Sequence, residues 1–333
     1  AASLRILREL GCQGDRLTVL SLVHAMAIAG VLKSDMLEAA SASLRHQAQA
    51  LDEASPFGLD PGTTPLQEAV ASRRPLVVKL QPHTWVLWKP AGWSAWVEDE
   101  DGEAALGALQ GHRRISRNAS PKGGGLLSEW LAKAGGTGAV CPALAKDPAV
   151  QHGLVHRLDV GTSGMLLAAR SYRGHYLAQL QFVAGRVRKH YVCLCDGPLP
   201  PAPRLFKAPL REERQSDGGS RSRVAEGARG ACTEVRSAVI LLCPQGSLLS
   251  LVELRLHTGR RHQIRAHLAN EGHPLVGDDT YGGSNPPWCQ RLFLHACVLS
   301  LDLGDGLFTA CCPLPPELRR ALAVARALSP EAV

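Results

Sequence analysis

Residues 247–259, SLLSLVELRLHTG, alternate Val252, Leu254 and Leu256 with Glu253, Arg255 and His257. Side chains of a strand point to opposite faces in turn, so this stretch reads as a half-buried strand. The following RRHQIRAHLANEG (260–272) abandons that period and reads as a helix, with HPLVGDDTYGG as the loop after it. Further strands are expected at HTWVLWK, which ends in the Lys89-Pro90-Ala91-Gly92 turn, at VRKHYVCLCDG and at RLFLHACVLSL. Between them SYRGHYLAQLQFVAG (171–185) sets Tyr176, Leu177, Leu180 and Val183 on one helical face and stops at Gly185. Mixed short strands with few helices point to an α+β fold around a mixed, mainly antiparallel sheet.

At 333 residues the chain is long enough for about two domains. Residues 3 to about 52 read as helices: SLRILREL ends at Gly11, Asp15 can cap the next helix, and Ser34 or Asp35 can cap a third. In that third helix Leu37, Ala40, Leu44, Ala48 and Leu51 recur at helical spacing. The segment is either a packing appendage or one unit of a helical-repeat array, and a single helix pair shows no period. SPFGLDPGTTP (55–65) has the composition of a linker. The expected division is therefore a helical segment over 1–60, a linker over 61–82 and the main domain over 83–328. Within the main domain, 98–150 reads as a partly ordered insertion with one short helix near LLSEWLAKAG, and 204–231 as a second insertion. The polar, glycine-bearing 209–231 is either a solvated surface loop or a basic loop that meets a ligand.

The formal net charge of +7 favours a polyanionic partner, nucleic acid first and an acidic membrane surface second. The ten cysteines contain no CxxC pair, and Cys193 and Cys195 share one strand face as packing residues. That pattern argues against zinc and suits a reducing compartment. The longest apolar stretch, 17–32, contains His24 and falls short of the roughly 20 residues that span a bilayer. No membrane span is expected, and an intracellular site is, whether cytoplasm or an organelle such as a mitochondrion or plastid. His257, His262 and His267 are five apart, not the four that stack a zinc pair on a helix. They read as ligand contacts or as capping and packing residues. Asp278 and Asp279, next to Gly277 and Gly282, read as loop-shaping. No G-x-S-x-G surrounds Ser163, so a serine nucleophile is not supported.

Asp159 lies in VHRLDVGTSGMLLAARS, with Arg157 before it and Thr162-Ser163-Gly164 after it. Alone it is most simply a turn residue. The stretch HTGRRHQIRAH changes this reading, because four-residue spacing would put Arg261 and Arg265 on one helix face while Ile264 and Leu268 anchor another. A guanidinium is a fixed fork for a carboxylate, so one of these arginines could hold Asp159 ionised. Arg260 and Arg261 are either phosphate contacts or part of a solvated face.

Taken in order, WVLWKPAGW, HRLDVGTSG, RKHYVCLCDG, HTGRRHQIRAH, GHPLVGDDTYGG and LHA at 294–296 resemble the RluA family of RNA pseudouridine synthases. The resemblance covers roughly residues 83–312. It implies the fold of that family's catalytic domain and the isomerisation of uridine to pseudouridine in a structured RNA, without cofactor or metal. Asp159 matches the family's catalytic aspartate, Arg265 the arginine that pairs with it, and Tyr191 the tyrosine that stacks on the extruded base and assists at carbon 5. Arg157 matches the arginine that fills the gap in the RNA stack. His156, Lys189, Arg260, Arg261 and His262 are expected RNA contacts beside it. No S4-type RNA-binding module is evident in residues 1–52, which leaves the choice of RNA open. The alternative is a catalytically idle RNA-binding or chaperone module on the same fold. A monomer is the expected state.

Overall fold

The computed structural model describes residues 15–58, 62–95, 124–136, 138–215, 220–243 and 245–327. The N-terminal half contains helices α1 (Arg16–Ile28) and α2 (Ser34–Ala54), strands β1 (Leu76–Leu80) and β2 (Thr84–Lys89), helices α3 (Leu127–Gly136) and α4 (Pro142–Lys146), strand β3 (Ser163–Ala169) and helix α5 (Tyr172–Val183). There follow β4 (Arg188–Asp196), β5 (Arg204–Phe206), β6 (Leu210–Arg214), β7 (Ser220–Val224), β8 (Thr233–Leu242) and β9 (Leu248–Leu256). Helix α6 (Gln263–Asn270), β10 (Leu294–Asp302), β11 (Leu307–Cys311), helix α7 (Pro316–Ala323) and β12 (Arg326–Ala327) follow.

The main sheet runs β1-β2-β3-β10-β4-β9-β8-β12, with β11 on β10 and β5 on β8. Its pairs are antiparallel except β3 with β10, which run parallel over His295↔Ser163 and Ala296↔Gly164. This is the expected α+β fold with a mainly antiparallel sheet. The parallel contact needs close backbones at Gly164, where φ is +133° and a Cβ would strike the Ala296 carbonyl oxygen. Strand β9 lies inside the sheet between β4 and β8, and its Val252, Leu254 and Leu256 are buried as the alternation requires. Tyr191 sits mid-sheet, opposite Ala296 on one side and Leu254 on the other.

Several expectations are corrected. The span read as a linker, 61–82, already contains β1, which pairs with β2. Residues 98–123 lie outside the described residues, whereas the remainder of that expected insertion carries α3, α4 and a 3₁₀ turn, with Leu127, Leu131, Val140, Leu144 and Val150 in the core. The span 204–231 holds β5 and the β6–β7 hairpin, which seats Leu210 and Ala231 against Ala266 of α6. Helix α6 starts at Gln263, not at Arg260. Helix α2 is capped at Lys33, with Ser34 and Asp35 inside it.

SLRILREL lies outside the described residues, but α1 and α2 pack on each other and on α5 of the main domain. Asp15 caps α1 by accepting from the Thr18 amide at 2.8 Å. Val19, Leu20, Val23 and Met26 of α1 and Leu37, Ala40, Leu44 and Ala48 of α2 are buried in the same core as the sheet. The Asp52 carboxylate accepts from the Tyr172 amide at 2.7 Å and the Arg173 amide at 3.1 Å, so α2 caps the start of α5.

Candidate active site

Asp159 occupies a tight turn between the 3₁₀ segment and β3, closed by the Thr162 amide donating to the Asp159 carbonyl at 3.0 Å. Lys89, fully buried at the end of β2, clips this turn from beneath. Its ammonium donates to the carbonyls of Pro90 (3.2 Å), Asp159 (3.1 Å), Val160 (3.3 Å) and Thr162 (2.7 Å). Burial lowers the Lys89 pKa to about 7 against the opposing pull of Asp159. A ring of carbonyl acceptors suits the three hydrogens of an ammonium, so the residue read as part of a turn fixes the height of the aspartate. His156 tightens the same loop, its Nε2 accepting from the Leu167 amide at 2.9 Å while its ring lies 4.9 Å from Phe182.

Arg265 reaches Asp159 from α6, with Nη1 3.7 Å from Oδ2. Its fork, however, is spent elsewhere. Nε and Nη2 each donate at 2.7 Å to the two carboxylate oxygens of Asp278, whose side chain is fully buried. The expected fork between Arg265 and Asp159 is thereby corrected: Asp278 takes the bidentate face and Asp159 meets one edge nitrogen. The Tyr281 ring lies 5.1 Å from the guanidinium, and its hydroxyl donates to the Ser222 carbonyl at 2.8 Å. Neither Asp278 nor Tyr281 stood among the candidate site residues, although both lie in GHPLVGDDTYGG. The Asp278 loop folds closely on the chain before β10, since a Cβ on Gly277 (φ +78°) would strike the Arg291 carbonyl oxygen.

Arg261 does not share the helical face of Arg265, because it precedes α6. Its guanidinium lies 3.2 Å from Glu212 of the β6–β7 hairpin, and its carbonyl accepts from the Ser222 hydroxyl at 2.6 Å. His262, at the N-cap, takes a left-handed backbone (φ 49°, ψ 23°) that carries its Nε2 to 4.0 Å from Asp159. Gln263 holds this bend, donating to the Cys232 carbonyl and the Thr233 hydroxyl while accepting from Thr258 and the Arg260 amide. His267 is buried in packing, its ring nitrogens on Thr233 and Ala208, and His257 pairs with Glu234 at 2.8 Å.

Burial would raise the Asp159 carboxyl, but His262, Arg265, Arg157 and Arg261 outweigh it and bring the pKa down to about 2. Burial meanwhile lowers His262 to about 3, so its imidazole is neutral at neutral pH. The guanidiniums of Arg265, Arg157 and Arg261 carry a charge at neutral pH and favour the carboxylate there. Tyr191 is buried, and burial together with the charge of Asp159 raises its phenol well above the usual range. Burial and Arg260 lower Lys189 to about 8, with its ammonium 5.5 Å from the Phe182 ring.

These residues surround one cavity of about 320 Å³. It brings together Asp159, Tyr191 and Arg265 with Arg157, His156, Lys189, Arg260, Arg261 and His262, the complete set of sequence candidates. Ser163 lies outside it and fully buried, accepting from Arg291 at 2.7 Å and contacting His295 at 3.0 Å, with no route for a substrate. Among the described residues no group of three or more His, Cys, Asp or Glu side chains is placed to hold a metal ion.

The fold is that of an RNA pseudouridylate synthase domain. The profile of that family, described as RNA pseudouridylate synthase, matches residues 144–270. Over the matched region the chain resembles RNA pseudouridine synthases. It is 34% identical over 167 residues to the uncharacterized RNA pseudouridine synthase YhcT of Bacillus subtilis, covering 50% of this chain and 53% of that one. Over 160 residues it is 37% identical to tRNA pseudouridine synthase C of Salmonella typhimurium, covering 44% and 61% respectively. The chain thus matches about half the length of the Bacillus relative. The solved human RNA pseudouridylate synthase domain containing 1 shares the fold, with a TM-score of 0.53 and 21% identity over 81% of this chain and 92% of that one.

Proposed function

We propose that the protein isomerises uridine to pseudouridine within a structured RNA, with rRNA and tRNA as the candidate substrates. The observation that carries this reading is the Asp159 carboxylate, set on a turn clipped by Lys89 at the wall of a cavity lined by Arg157, Arg261 and Arg265. A nucleophile must be ionised, and here guanidiniums hold that state. The bond from ribose carbon 1′ to uracil nitrogen 1 breaks with its electron pair leaving on the base. The base turns, carbon 5 bonds to carbon 1′, and carbon 5 loses a proton while nitrogen 1 gains one. Substrate and product are isomers, so no co-reactant is consumed. Tyr191, held protonated, offers the base a flat face and a hydrogen-bond donor in place of a phenolate base. Arg157 takes the gap left by the extruded nucleotide, which costs a few kcal/mol of lost stacking. Lys189 and Arg260 meet phosphates beside the charge of Arg157, Arg261 reaches the RNA from its pair with Glu212, and His156 and His262 shape the wall they share. A monomer is the proposed active unit.

Asp159→Asn conserves shape and removes the charge, so the variant folds and releases no tritium from RNA labelled at uridine carbon 5. Release at the wild-type rate by purified Asp159→Asn overturns the assignment.

A further inference from the structure

The cavity does not end at the family-matched domain. Helix α1 contributes His24, Ala27 and Ile28 to its lining. Helix α1 is fixed in place: its core face is buried, Arg16 donates to the Ala149 carbonyl at 3.1 Å, and Arg16 lies 4.9 Å from the Tyr176 ring. At its other end His24 Nδ1 contacts the Val183 carbonyl at 3.2 Å. A carbonyl only accepts, so Nδ1 carries the proton and Nε2 is the nitrogen available to a ligand. One helical turn on, Ile28 is 74% exposed, and Val31 beyond it is 52% exposed.

The two sides of the cavity differ in chemistry. Around Asp159 stand Arg157, Arg261 and Arg265, whereas α1 and the end of α5 offer Ala27, Ile28, Val183 and Ala184, with the Lys189 ammonium beside Phe182. A nucleotide chain has the matching pair of surfaces, charged phosphates and flat apolar base faces. We propose that the C-terminal end of α1 is the second wall of the RNA groove, where Ile28 packs on the base next to the target uridine and His24 bonds to that nucleotide. The N-terminal helices are then part of the substrate site as well as of the core. This inference rests on the proposed activity, and it assigns contacts outside the matched residues 144–270.

The test uses the full chain and a fluorescein-labelled single-stranded oligouridylate of about twelve residues, the size of site such grooves hold. Ile28→Ser, at an exposed position that leaves the core intact, is expected to weaken binding at least about fivefold, as loss of one base contact does. His24→Ala is expected to act in the same direction. Val239→Ser, an exposed apolar position on β8 outside the cavity, serves as the control and should bind like wild type. Wild-type affinity in both α1 variants overturns the proposal, as does an equal loss in Val239→Ser. Tritium release by the wild-type chain is measured in parallel on RNA from cells lacking the gene. Absence of release refutes the pseudouridine reading, whereas release together with unaffected α1 variants refutes only the role of α1.

Discussion

Arg265 meets two carboxylates in unequal geometry: two 2.7 Å bonds to Asp278 and one 3.7 Å approach to Asp159. A bidentate, buried, charge-assisted pair is the stronger contact, and breaking it leaves an uncompensated charge. Asp278→Asn is therefore expected to destabilise the protein by about 3 kcal/mol, and Asp159→Asn by clearly less. In urea-unfolding cycles Arg265→Met should couple more strongly to Asp278→Asn than to Asp159→Asn. Equal couplings would show that Asp278 does not aim the fork. The pH dependence of Asp159 follows from the same charges. Its folded pKa lies below the unfolded value of about 3.9, so its stabilising contribution is present above that value and is lost only as pH falls towards 2. Single-turnover rates are expected to show no inflection near pH 4, the ordinary carboxylate range. An inflection there would mean that the guanidiniums do not control the ionisation.

At the scale of elements, the Asp159 turn depends on β2 through Lys89. Lys89→Met keeps the length of the side chain and removes the donor from four carbonyls, so it is expected to cost about 3 kcal/mol in urea unfolding and to lower kcat more than KM. A loss below about 0.5 kcal/mol would show that the turn holds itself. The sequence makes β9, α5 and the central strands legible, because burial imposes a period of two or of 3.6 on the residues themselves. It also brings out Asp159, Tyr191 and Arg265, but only through the ordered set of motifs and not through any one residue. Hairpin β6–β7 is not legible in the same way: its strands read LREER and SRSRV, and its hold on the site comes from Ser222 bonding to Arg261 across 39 residues. The start of α6 is hidden for a related reason, since nothing about a histidine announces a left-handed backbone at His262. Asp278 is masked by its surroundings. An aspartate beside glycines satisfies the ordinary turn rule, and its partner is Arg265, 13 residues earlier, on a helix that only the fold turns towards it.

Across the whole molecule, a formal charge of +7 says less than where its cations already have partners. On the open surface Arg223 pairs with Glu213 at 2.7 Å, Arg236 lies 3.8 Å from Glu253 and Arg255 lies 3.9 Å from Glu234. Within the cavity Arg261 and Arg265 face Glu212, Asp278 and Asp159. On the proposed function Arg157, Lys189 and Arg260, which line that same cavity, add the charge that attracts phosphates. About three neutralised phosphates on a single strand give a slope near −2 for log K against log salt, or about a twentyfold loss of affinity between 50 and 200 mM. Arg157→Gln and Arg260→Gln should each flatten that slope by about 0.7, whereas Arg223→Gln, a surface partner of Glu213, should leave it unchanged. Anisotropy titrations of the labelled oligouridylate over this salt range measure all four slopes. Lys189 adds a pH signature, because its lowered pKa makes it shed its proton as pH rises through about 8. Affinity is therefore expected to fall between pH 7 and 9 in the wild-type chain, and to fall less in Lys189→Ala. A slope that Arg223→Gln flattens as much as Arg260→Gln would place RNA on the general basic surface and not in the cavity beside Asp159.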